Sequence, residues 1–442
     1  MKVYLGIDVG TSKICVLALD GISGRPIDIV SEKNSSGVKC EKGFSEQDPK
    51  IIREKTIYLV NKIRRRIKSE ISGVGITGQM HGMLLVDKSL KPLTNLITWQ
   101  DKRSEKLIPE ILSKAGDNPF CECGCLIRPG YMGASLFWFY KNKLIPKNVY
   151  KACFIHDWIG ANLANQNFMF TDPTNAASSG LFNVKKMDWN RELIGKLGIK
   201  EKIFPEIRSS GETIGFTKEG VPVGCALGDN QASILGSFHG YRDGECINMN
   251  IGTGSQVSVI VRNFTKISDG LELRPYLNGK YILVGASLSG GAAYSVLRDF
   301  FESVGMKLCG VRGDSIFQKM NRLASKAPEG CDGLVCSPYF FGERGREELK
   351  ASFNGLDANN FTVSHVSRAM LEGMVRVLHE FYGRMRKKRK YIVGSGNGIK
   401  RNRVLQKVTE KTFNMDLKLS PYEEEAAYGT ALLAAKSGGE YA

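Results

Sequence analysis

The sequence has no apolar run approaching the roughly 18 residues that a membrane-spanning helix requires, which sets aside a helical membrane protein. It has no Gly-x-x-x-x-Gly-Lys-Ser/Thr stretch, so a P-loop nucleotide enzyme is excluded. No Gly-x-Gly-x-x-Gly follows an early strand, which argues against a Rossmann dehydrogenase. Zinc spacing is missing as well. The dense group Cys121-Glu-Cys-Gly-Cys125 has single-residue gaps and no nearby histidine, and reads as a loop with incidental thiols. The amino terminus shows no leader pattern and runs straight into a strand, so the expectation is a cytoplasmic protein whose eleven cysteines are reduced.

What is present is an ordinary globular composition, 42% apolar and 24% charged. At 442 residues the chain exceeds one hydrophobic core, and two domains of roughly 200 residues each are expected. The net charge of +17 could suit nucleic acid or small anions. Its main clusters, Lys62–Lys68 and Arg384–Lys390, fall on the polar face of one expected helix and at the end of another. No RNA-binding aromatic strand pair accompanies them, so they read as solvated faces and no nucleic-acid partner is expected. The first of these helices runs from Pro49 to Ser69, with Asp48 as its cap and Ile57, Val60, Ile63 and Ile67 as its expected buried stripe.

The chain is organised around Leu5-Gly6-Ile7-Asp8-Val9-Gly10-Thr11-Ser12-Lys13. An apolar strand ends at Gly10, and the turn offers backbone N–H groups beside two hydroxyls, a surface suited to phosphate oxygens. Asp8 would face those phosphates, which makes sense with a Mg²⁺ ion between them. Met249-Asn250-Ile251-Gly252-Thr253-Gly254-Ser255 repeats the pattern, with an apolar strand on each side. Two strand–turn–strand units, one in each half, predict two related domains facing one nucleotide. The boundary is expected near Gly220, dividing the chain into 1–220 and 221–442.

Between the hairpins lie polar clusters at strand ends, where open α/β sheets bind ligands. Gly78-Gln79-Met80-His81-Gly82 reads as an exposed tip. Trp99 with Asp101 and Arg103 suits a sugar, a ring face on the indole and hydroxyls on the charges. Asp229, in Gly228-Asp229-Asn230, follows a buried strand and opens a helix. It is the candidate general base for a hydroxyl attacking a γ-phosphate, and it can cap its helix at the same time. Gly290-Gly291 precedes a further helix. Gly394-Ser395-Gly396-Asn397 lets a flat adenine lie against backbone.

The order of these motifs resembles the FGGY carbohydrate kinases, members of the actin-like ATPase superfamily. The likeness runs from Val3 to about Ala435 and includes Gly342-Glu343-Arg344. It implies an α/β protein of two ribonuclease-H-like domains, with ATP and a sugar in the gap between them. It also implies Asp229 as catalytic base, Asp8 and Asp229 beside Mg²⁺, and Gln79, Met80, His81, Trp99, Asp101 and Asn230 at the sugar. The nucleotide would lie on Thr11, Ser12, Lys13, Gly252, Thr253, Gly291, Gly394, Ser395, Gly396 and Asn397. Thr98-Trp99-Gln100-Asp101, Ile155-His156-Asp157, Asn175-Ala176-Ala177-Ser178 and Arg401-Asn402 resemble the sedoheptulose kinases, as does Ser135 where many relatives have lysine. Asp229-Asn230 is equally the xylulose-kinase pair. The expected partner is a small sugar, in a chain that could form a homodimer; an actin-like ATPase gripping a protein is the alternative.

Overall fold

The computed structural model describes residues 2–116, 122–267, 270–311, 313–343, 346 and 348–440. Strands β1 (Val3–Val9) and β2 (Lys13–Asp20) form the first hairpin, with Asp8 opposite Cys15. Their side chains are almost all buried because helices cover both faces of the sheet. Strand β3 (Pro26–Lys33) extends the antiparallel meander. Helix α1 (Pro49–Arg66) begins where Asp48 accepts the Lys50 N–H at 2.8 Å, and crosses over to β4 (Ile71–Gly78), which runs parallel to β1. The buried stripe of α1 is Ile52, Thr56, Leu59 and Ile63, one step round from the expected Ile57 and Val60. Arg64 and Arg66 on its outer face pair with Glu219 and Asp28.

Helices α2 (Met132–Lys141) and α3 (Ile155–Leu163) follow. The first sheet is completed by β5 (Thr213–Phe216), β6 (Pro222–Gly224) and the short β7 (Leu227–Gly228). The order is β5-β6-β4-β1-β2-β3, with β7 also on β4. After α4 (Asp229–Ser237), the second sheet contains β8 (Cys246–Ile251), β9 (Ser255–Val261), β10 (Leu271–Pro275) and β11 (Tyr281–Ser287). Helices α5 (Gly291–Cys309) and α6 (Val363–Met385) lead to β12 (Tyr391–Ser395). Helix α7 (Arg403–Phe413), β13 (Asp416–Leu419) and α8 (Glu425–Ser437) end the chain. The second order, β10-β11-β9-β8-β12-β13, repeats the first plan of an antiparallel meander flanked by parallel strands.

The boundary expected at Gly220 falls inside the first sheet. Strands β6 and β7 lie beyond it and pair with β4, since β4 needs a neighbour on its free side. Helix α8 also returns to the first lobe, where Tyr428, Ala431 and Leu432 pack against Tyr4, Leu17 and Leu19. Glycines permit that return. A Cβ on Gly6 would stand 1.9 Å from the Ala427 carbonyl, and one on Gly429 1.9 Å from that of Ala232 on α4. The two helices therefore cross backbone to backbone. No helix among the described residues is long and apolar enough to cross a membrane.

Candidate active site

Asp8 and Asp229 come from strands on either side of the end of β4. Asp8 pairs in register with Thr77, and β7, directly before Asp229, pairs with Thr77 and Gly78. Both carboxyls are half-buried at the carboxyl ends of parallel strands. Burial pushes Asp229 up to about 6, opposed by the Asn230 N–H and the Arg274 guanidinium. Burial, then the charges of Asp229 and Glu424, push Asp8 up to about 7, opposed by Lys13. Lys13 bonds Glu424 at 2.5 Å and so ties the first hairpin to the start of α8. Two half-buried carboxyls, one of them raised by the charge of the other, are a fitting place for a divalent cation. Because no group of three metal-ligating side chains occurs among the described residues, Asp8 and Asp229 could hold Mg²⁺ only with phosphate oxygens and water completing its shell.

The first turn is bound into a polar chain. Trp99 Nε1 donates to Thr11 Oγ1 at 3.0 Å, and Thr11 Oγ1 to Gln79 Oε1 at 3.1 Å. Gln79 Nε2 donates to Gln47, which donates to the Thr11 carbonyl. Gln79 is buried and fixes the turn from below, while the Trp99 ring stays half exposed. Ser12 is exposed at the tip of the turn.

His81 departs from the expected exposed tip. It is half-buried in a left-handed conformation (φ 73°), its ring stacked on Tyr131 at 4.2 Å and its Nδ1 2.8 Å from the Ser178 carbonyl. Met80 is buried against Gly228. Asp101, expected at sugar hydroxyls, is spent inside the first lobe. It accepts two 2.9 Å bonds from the Arg103 guanidinium, one from the Arg103 N–H and one at 2.7 Å from the Ser45 N–H. Burial forces that saturation, since a carboxylate without partners there would be costly. Asn230 is buried beside Asp229, and its Oδ1 has no hydrogen-bond partner among the described residues. It is an acceptor facing the need for a donor, which a hydroxyl would meet.

In the second lobe, Thr253 and Gly254 are exposed at the hairpin turn. The N–H groups of Gly291 and Ala292, at the start of α5, donate to the Gly252 and Thr253 carbonyls at 2.8 and 2.9 Å. Gly291 thus seats the turn on the helix. Asn250 Nδ2 donates to Ser395 Oγ at 3.1 Å, which places Gly394–Asn397 next to this turn. Gly396 has φ 82° and passes so close to the Ile251 carbonyl that a Cβ would lie 2.7 Å away. Lys400 bonds Glu425, the neighbour of Glu424, so the start of α8 reaches both lobes. Glu343 is buried and accepts from Ser287 Oγ at 2.9 Å; Arg344 lies outside the described residues.

Glu272, Arg274 and Tyr131 line a crevice with Met80 and His81, and Glu424 acts on Asp8, though none of the four stands out in the sequence as a site residue. Leu-Glu-Leu-Arg-Pro carries two charges on one face of a strand whose other face is apolar, and that was the signal available for the first two. Cys123 and Cys125 are buried beside Arg274, and burial pushes Cys123 up to about 11. Cys121 lies outside the described residues.

Residues 3–236 match the family model for the FGGY family of carbohydrate kinases, N-terminal domain, and residues 247–438 match the C-terminal domain. The chain is 28% identical to a xylulose kinase of Staphylococcus xylosus, covering 98% of this chain and 91% of that protein. It is 26% identical to a sedoheptulokinase of Mus musculus, covering 98% and 97%. The solved structure of a ligand-bound xylulose kinase from Lactobacillus acidophilus superposes with a TM-score of 0.88 at 22% identity, covering 99% and 90%, and so shares the fold.

Proposed function

The chain belongs to the FGGY family of carbohydrate kinases, and from that premise we propose that it phosphorylates sedoheptulose to sedoheptulose 7-phosphate. Its activity is ATP-dependent transfer of a phosphoryl group to a sugar, on an actin-like ATPase fold. The observation that carries the mechanism is the pairing of Asp229, raised to about 6, with the orphan acceptor of Asn230 beside it.

In this reading the sugar's terminal primary hydroxyl donates to Asp229, which takes its proton as the oxygen attacks the γ-phosphate. Asn230 accepts from a neighbouring hydroxyl and fixes the chain. Met80 and His81 floor the pocket, and the exposed face of Trp99 covers it. The phosphates rest on Thr11, Ser12 and Lys13 on one side and on Gly252 and Thr253 on the other, with Gly291 supporting the second turn. Adenosine lies along Gly394, Ser395, Gly396 and Asn397. Asp8 and Asp229 would hold Mg²⁺, which supplies neutralisation of charge on the transferring group when bound. The two lobes exclude water, without which ATP would simply be hydrolysed.

Xylulose is the second reading, supported by the Asp229-Asn230 pair and by the xylulose-kinase relative. An ADP-coupled assay on sedoheptulose, xylulose and ribulose separates them. The highest kcat/KM is expected on sedoheptulose; a higher value on xylulose moves the assignment to the pentulose. ATP turnover without sugar, unchanged by any ketose, would replace the kinase reading with that of an ATPase.

A further inference from the structure

Strand β7 is two residues long and delivers Asp229 to the end of β4. On one side it pairs with Thr77 and Gly78. Its other side meets no strand among the described residues. The Ala226 carbonyl and the Gly228 N–H point the same way, as groups two residues apart along a strand do, and both residues are buried. Side chains meet them there. Thr174 Oγ1 accepts from the Gly228 N–H at 2.8 Å, and Asn175 Nδ2 donates to the Ala226 carbonyl at 3.0 Å. Two adjacent side chains thus supply the rungs that a neighbouring strand would otherwise supply.

Those side chains are themselves fixed. Thr174 and Asn175 lie in the short helix Pro173–Ala177, which Asp172 caps by accepting the Asn175 N–H at 2.8 Å. The Asp172 carboxyl also accepts from Thr174 Oγ1 at 2.8 Å and from Ser210 Oγ. Burial raises Asp172 to about 6, opposed by the bonds from Ser210, Asn175 and Thr174, so the group is ionised at neutral pH. A carboxylate can only accept. The Thr174 hydroxyl therefore turns its proton to Asp172 and leaves a lone pair for the Gly228 N–H. Asp172, Thr174 and Asn175 are each at most 1% exposed, which keeps these bonds out of solvent.

Gly228 precedes α4 and has no side chain with which to cap it. It has no room for one either, since a Cβ would lie 2.7 Å from Gln231 Oε1 and 2.8 Å from Met80 Cε. The chain is held here through its backbone, and drift of the Gly228 peptide would carry the Asp229 carboxyl with it. We propose that Thr174, oriented by Asp172 and joined by Asn175, is a positioning residue that fixes Asp229 against the attacking hydroxyl. This rests on the reading of Asp229 as general base and adds the group that holds it in place. The same segment reaches the sugar side. Ser178, just beyond the short helix, accepts the His81 N–H at 3.1 Å, so the base and the pocket floor share one anchor.

Thr174→Val keeps the shape of the side chain and removes the hydroxyl. In the full chain, with a ketose that it phosphorylates, kcat should fall about 10–100-fold, the scale of loss that a displacement of about 1 Å brings. The KM values for ATP and ketose should stay within about threefold of wild type. Thr174→Ser restores the bond and should return kcat to within about threefold of wild type. Because Thr174 acts through Asp229, adding Thr174→Val to Asp229→Asn should slow that variant by less than about threefold more. Thr174→Val at the wild-type kcat, a serine variant as slow as the valine one, or a double variant slowed by the product of the two single losses would each overturn the proposal. If the valine variant does not fold, Thr174→Ala removes the same hydroxyl without setting a methyl against Asp172, and the same three outcomes decide. Normal turnover by Asp229→Asn alone would instead remove the base reading on which the proposal stands.

Discussion

Replacing Asp229 by asparagine should make the ligand-free protein more stable while abolishing its chemistry. The carboxyl is raised from an ordinary 3.8 to about 6, chiefly by burial. A carboxylate raised on folding contributes a penalty that is fully present above the folded value and fades as the pH falls toward the unfolded one. Two pH units at 1.36 kcal/mol each put that penalty at about 3 kcal/mol near neutral pH. It shrinks to about 1 kcal/mol near pH 4.5, where the folded group is protonated. Asparagine has the same shape, carries no charge and can still accept the Asn230 N–H. It also relieves Asp8, whose own rise to about 7 owes part to Asp229. Urea unfolding of both proteins at about pH 7.5 and about pH 4.5 measures the difference directly. The variant should be the more stable at the higher pH, by up to about 3 kcal/mol, with the gap narrowing at the lower. Phosphorylation of the ketose should fall by about 10²–10⁴, the usual contribution of a positioned general base, with ATP still bound. A variant less stable than wild type at the higher pH, or one turning over normally, would refute the reasoning.

Other consequences follow from the same geometry. The wild-type kcat/KM for the ketose should fall about tenfold per unit below about pH 6 as Asp229 takes up a proton, whereas a profile flat down to pH 5 would detach the base from this residue. Gly429→Ala inserts a methyl 1.9 Å from the Ala232 carbonyl and should cost about 2–4 kcal/mol in thermal unfolding by forcing α4 and α8 apart. Trp99→Phe removes the bond to Thr11 at a half-exposed ring, so it should raise KM with little change in melting temperature. Arg103→Ala leaves Asp101 and Glu46 without their cation and should cost about 3–5 kcal/mol while leaving the phosphate turns intact.

The two hairpins were legible in the sequence because each is a local feature, an apolar run broken by glycine and hydroxyls. Asp8 and Asp229 could be picked out as carboxylates at strand ends, but nothing local shows that both strands flank Thr77 and Gly78. Asp101 misled for the opposite reason. A buried carboxylate and a solvent-facing one have the same neighbours in sequence, and only the fold brings Ser45 and Glu46 to meet Arg103 and Asp101. The continuation of the first lobe past Gly220 was not legible, because β6, β7 and α8 return to it over distances that periodicity does not register. Glu272 and Arg274 looked like the polar face of an edge strand, which is normally solvated. Docking of Gly124 against Leu273 turns that face into the wall of a crevice. The basic segment of α1 read correctly as surface, because its cations sit on the face opposite Ile52, Leu59 and Ile63.

The central claim is that the γ-phosphoryl group leaves ATP for a sugar hydroxyl and not for water. Phosphorus NMR of the wild-type protein with Mg²⁺, ATP and sedoheptulose reads both fates at once. A new sugar phosphate ester should grow in step with ADP, with inorganic phosphate staying at background. Inorganic phosphate accumulating in step with ADP, with no ester formed from any ketose, would contradict it.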